Sequence, residues 1–91
     1  MKASLTEVLD KAYEENMIWF ILGSLISSEN FMVPDNELPK VYTTNIDTLK
    51  CMSVDIESTK IPEKEKVKIK KYIDDGIELL TNEFSNLQKN S

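Results

Sequence analysis

Residues 16–27 read NMIWFILGSLIS and carry no charge, in a chain of 91 residues of which 30% are charged. Met17, Ile18, Trp19, Phe20, Ile21 and Leu22 follow one another without a polar residue, so on a helix they point to every side. A strand over 17–22 is the rival reading, because Ile, Trp and Phe all suit strands and a short apolar run does not separate the two by period. No turn signal divides the run from the helical pattern before it. The stretch is therefore read as the second half of one helix covering about 5–28.

The first half of that helix has its own signals. Ser4 and Glu7 stand at the spacing of a capping box, in which the serine accepts from an otherwise unpaired N–H at the helix start. Leu5, Val8, Leu9, Ala12 and Asn16 then recur at steps of three and four, with Glu7, Asp10, Lys11, Glu14 and Glu15 largely off the stripe.

Downstream of the apolar run, two prolines and a Pro-Asp-Asn turn signal make residues 31–45 an ordered connecting loop, with Val41 and Tyr42 packing onto the helices. Residues 46–57 support two periods. Thr44 and Asp47 repeat the capping-box spacing and Ile46, Leu49, Met52 and Ile56 fit a helical face, while Met52, Val54 and Ile56 alternate at strand period. A lone strand would lack a pairing partner, so a short helix is the reading adopted.

The last segment is the plainest. Pro62 suits the first position of a helix, where its missing N–H costs nothing. Ile69, Ile73, Gly76, Ile77, Leu80, Phe84 and Leu87 then repeat at threes and fours, which predicts a helix over about 62–88. The expected fold is all-α: one domain, residues 1–91, forming a small three-helix bundle with two long helices, a short middle helix and an ordered crossover.

Composition narrows the chemistry. The chain has eleven lysines, no arginine and no histidine, so it lacks the usual bidentate grip for phosphate and the usual proton shuttle near neutral pH. Abundant Lys, Ile and Asn fit an AT-rich bacterial, plasmid or phage genome. Cys51 is the single cysteine; it forms no internal disulfide, which fits a reducing compartment and a cytoplasmic location. With no histidine to activate it, Cys51 is read as a buried small hydrophobe and not a nucleophile. Asp74, Asp75 and Glu78 form no convincing metal set, since adjacent helical residues diverge by about 100° and hard cations take six or more oxygens. Neither an enzyme nor a cofactor is expected, and no small-molecule substrate.

The apolar run is too short to span a membrane: 13 residues from Asn16 to Ser28 lack charge, against roughly 20 for a spanning helix. Its flank is wrong for a signal peptide or an amphipathic membrane anchor, because residues 1–15 hold four acids and two lysines. Membrane is therefore not an expected partner. What remains is a helix too apolar for two other helices to cover, so that either the 31–45 loop wraps it or another chain covers part of it. Met17, Trp19, Phe20 and Leu22 are the candidate contacts to another protein or a second copy. Glycines 23 and 76 are candidates for a close helix crossing.

The net charge of −5 is uneven, and residues 59–71 hold six lysines against two glutamates. This block is read either as a solvated face opposed by the acids of the first helix or as a docking patch for an acidic partner, which makes Lys66, Lys68, Lys70 and Lys71 further candidates. Nucleic acid is not expected, because arginine is absent and Tyr72 is the one aromatic nearby. The functional expectation is a noncatalytic, acidic interaction module: a regulator, inhibitor or immunity-type protein, with an assembly protein or small chaperone acting as an obligate oligomer as the alternative.

Overall fold

The computed structural model describes residues 4–27 and 31–89. It is all-α, with four helices among the described residues: α1 (Leu5–Glu14), α2 (Ile18–Ile26), α3 (Leu38–Asp55) and α4 (Glu63–Lys89). Short 3-10 turns at Asp35–Glu37 and Ile56–Ser58 lead into and out of α3.

The expected first helix is two helices. Glu7 N–H donates to the Ser4 hydroxyl at 3.2 Å, so α1 starts where its cap predicts. It stops at Asn16, whose φ of 57° lies in the left-handed region. Met17 N–H donates to the Ala12 carbonyl at 2.8 Å and Asn16 N–H to the Tyr13 carbonyl at 3.0 Å. These two bonds form a Schellman stop with asparagine in the position glycine usually takes. The reason lies in helical phase. Leu9 and Ile18, both fully buried, would stand about 180° apart on one uninterrupted helix. The break lets Leu9 and Ala12 of α1 and Ile18, Leu22 and Ile26 of α2 enter the same core.

Because a β-branched residue resists positive φ, Asn16→Val is expected to lower unfolding free energy by about 1–2 kcal/mol. Asn16→Gly should leave it unchanged or higher. Urea titration of the two variants checks this.

The expected 31–45 loop is also corrected, because residues 38–45 belong to α3. Pro39 lies in the first turn of that helix, where its fixed φ and missing N–H are tolerated, so it marks a start and not an interruption. Thr44 is consequently inside α3 and caps nothing. Its neighbours Thr43 and Thr48 donate their hydroxyls to carbonyls three or four residues back. Tyr42, Ile46, Leu49 and Met52 form the buried stripe of α3, and Ile56 extends it through the 3-10 turn. The strand alternative for 46–57 is excluded.

The framework is the antiparallel pair α3 and α4. Tyr42 meets Phe84 at one end with ring centroids 6.1 Å apart, and Ser53 Oγ donates to Asp74 Oδ1 at 3.2 Å further along. Fully buried Leu49, Ile56, Ile69, Ile73 and Leu80 fill the seam. Helix α1 is tied to the turn before α4 by Asp10 Oδ1, which accepts from Lys60 N–H at 2.8 Å. Helix α2 crosses the pair, and Asn45 Nδ2 donates to the Leu25 carbonyl at 3.1 Å, satisfying one of the carbonyls that the helix end leaves open.

Candidate interaction surface

Burial divides α2 by helical phase. Ile18, Leu22 and Ile26, spaced four apart, face inward. Phe20 lies opposite them and is 70% exposed, with Trp19 and Met17 at 41% and 42% on its two sides. Leu22 has no exposed surface. The expectation that it contacts a partner is therefore corrected: Leu22 is core, and the outward residues are Met17, Trp19 and Phe20.

Trp19 stacks on Tyr72 of α4 with centroids 5.3 Å apart and planes at 28°. Such a pair holds the indole in one place at the α2–α4 edge while leaving much of its other face open. On the opposite flank, Val8 and Ala12 of α1 with Met17, which precedes α2, and Ile21 of α2 line an apolar groove of about 250 Å³, and Lys11 and Glu15 stand on its rim. The sequence alone does not single out Val8 and Ile21. Their role follows from the α1–α2 corner, which brings two otherwise separate helical faces together.

The lysine block dissolves into separate roles. Lys66 is 8% exposed. Its Nζ donates to the Glu57 carbonyl at 3.1 Å and to Glu63 Oε1 at 3.4 Å. The ammonium closes the carbonyl end of the α3 3-10 turn, a structural task that leaves it no free surface for a partner. Lys68 pairs with Glu65 at 3.9 Å, Lys70 with Glu57 at 3.4 Å and Lys71 with Asp75 at 3.3 Å. The opposing carboxylates come from α4 itself and the 3-10 turn that follows α3, not from α1. The cleft here, about 390 Å³, is lined by three lysines and four acids, so its charge nearly cancels.

Lys66→Glu is expected to destabilise the fold by about 2 kcal/mol or more, since it sets a buried carboxylate against the Glu57 carbonyl and Glu63. Lys68→Glu should change stability by no more than about 0.5 kcal/mol. Thermal melts of the pair separate a structural lysine from a surface one.

The other chemistry-bearing residues assemble nothing. Cys51 is exposed on α3, contrary to the expected burial. Asp74 accepts from Ser53 and Asp75 pairs with Lys71. Among the described residues no group of three or more His, Cys, Asp or Glu side chains could hold a metal ion, and no helix is long and apolar enough to cross a membrane. Glycines 23 and 76 do not meet; Gly76 lies against Ile26, and the closest atom to a Cβ on Gly23 would be Tyr72 Oη at 3.6 Å.

No family model matches the sequence, and neither a curated protein nor a solved structure shows significant similarity to it.

Proposed function

We propose that this chain is a noncatalytic protein-interaction module, a regulator, inhibitor or immunity-type protein that acts by covering a surface of another protein. The observation that carries the reading is the outward side of α2, where Phe20, Trp19 and Met17 stand exposed although Ile18, Leu22 and Ile26 already supply that helix's share of the core. An outward Phe20, 70% exposed, adds little to the stability of the isolated chain, and Trp19 keeps an open face although it stacks on Tyr72. Aromatic side chains so placed are the residue types that dominate binding energy when a partner covers them. Of the four lysines expected to meet a partner, Lys68 and Lys71 are the exposed ones and are what this block contributes.

The test uses the full chain immobilised in lysate from the organism that encodes it, beside Phe20→Ser and Met17→Ser versions. A protein retained by the natural chain and lost, by about tenfold or more, with variants that keep its melting temperature supports the reading. Equal retention by all three sinks it. The assembly alternative has a different signature: an obligate oligomer melts at a temperature that rises with its own concentration.

A further inference from the structure

The outward side of α2 carries two complementary shapes. Phe20 projects from it, and one turn away lies an unfilled apolar groove made by Val8, Ala12, Met17 and Ile21, to which Phe20 does not contribute. The rim of that groove holds one residue of each sign, Lys11 and Glu15, and neither belongs to the ion pairs that Lys66, Lys68, Lys70 and Lys71 form among the described residues. A projection, a recess and both charges in one patch meet the demand of a two-fold interface, in which each residue must find its complement on an identical surface.

We propose that the occupant of this groove is a second copy of the same chain. In the two-fold dimer Phe20 of each copy enters the groove of the other, and Lys11 of each faces Glu15 of its partner. The proposal rests on reading the outward side of α2 as an interaction face and adds how that face is regulated: a second copy and a foreign protein compete for it, so the dimer is the stored form and the monomer the binding form.

Sedimentation equilibrium of the full chain from about 1 to 500 µM tests this. The natural chain is expected to show one monomer–dimer equilibrium. Phe20→Asp and Val8→Asp, which attack the contact from its two sides at exposed positions, should each weaken it by about a hundredfold. Lys11→Glu and Glu15→Lys should each weaken it roughly tenfold, and the two together should restore it, because the swap recreates both cross-copy pairs. Circular dichroism melts establish that each variant is folded, and a defect in one apolar variant leaves the other to decide. A natural chain that stays monomeric throughout, a dimer indifferent to both apolar variants, a charge swap as weak as the single reversals, or open-ended growth beyond a dimer would each overturn the proposal. A monomer that still retains a foreign protein through Phe20 removes the dimer and leaves the interaction module. A dimer with no such protein does the reverse.

Discussion

Leu22→Ala is expected to destabilise the protein by about 3 kcal/mol and to lower its melting temperature by roughly 10–20 °C, while Phe20→Ala, two residues away, changes stability by no more than about 0.5 kcal/mol. Leu22 is wholly inaccessible and belongs to the same core as Ile18, Ile26 and the α3–α4 seam. Truncating it removes apolar transfer energy and leaves a cavity that helices held by α3 and α4 close only in part. Phe20 loses little because its ring is already in water in the isolated chain. The two variants thus exchange ranks between assays: Leu22→Ala should dominate a denaturation series, and Phe20→Ala a binding or self-association series run well below the melting temperature. If Leu22→Ala melts with the natural chain, α2 does not pack as described. A total stability of about 5–15 kcal/mol is usual for such a domain, so a loss of this size is easily measured.

Which parts of this arrangement are legible in the sequence follows from how far each signal extends along the chain. Helix α4 repeats one stripe through Ile69, Ile73, Gly76 and Leu80, and a period sustained over several turns is unambiguous. Lys66 stands on that same stripe, three residues before Ile69, which is the sign that it turns inward; its charge conceals the position. The α1–α2 break is written in phase, since the Leu5, Leu9, Ala12 stripe does not continue into Ile18, Leu22, Ile26, and in Asn16, a residue that tolerates the left-handed region. Inside an uncharged run that phase is masked, because every residue fits some face. Pro39 hides the start of α3, because it carries the same chemistry at a helix's first turn as in a loop. The distinction between Leu22 and Phe20 requires knowing which side of α2 meets α3 and α4, and that is a property of the packing rather than of the segment.

The two glycines should respond in opposite senses to the same substitution. A Cβ on Gly76 would fall 2.5 Å from Ile26 Cγ1 and nearer still to Cδ1, well inside the roughly 3.5–4 Å at which carbon atoms rest. Replacing a glycine within a helix by alanine gains about 1 kcal/mol from backbone entropy, whereas forcing a methyl into a packed crossing costs about 1–3 kcal/mol. Gly76→Ala is therefore expected to destabilise by about 1 kcal/mol, and Gly76→Val by about 3 kcal/mol, since the larger branched side chain adds volume and lowers helix propensity as well. At Gly23 the added methyl meets Tyr72 Oη at an ordinary 3.6 Å, so Gly23→Ala should stabilise by about 0.5–1 kcal/mol. The decisive comparison is made in an Ile26→Ala background. That change alone costs about 2–5 kcal/mol because Ile26 is buried, but it also removes the atoms a Gly76 methyl would strike. Gly76→Ala should then become stabilising by up to about 1 kcal/mol, giving a coupling near 2 kcal/mol in a double-mutant cycle read by urea unfolding. Additive effects would mean that Gly76 and Ile26 do not touch, and with that the α2–α4 crossing which turns Phe20 outward would be lost.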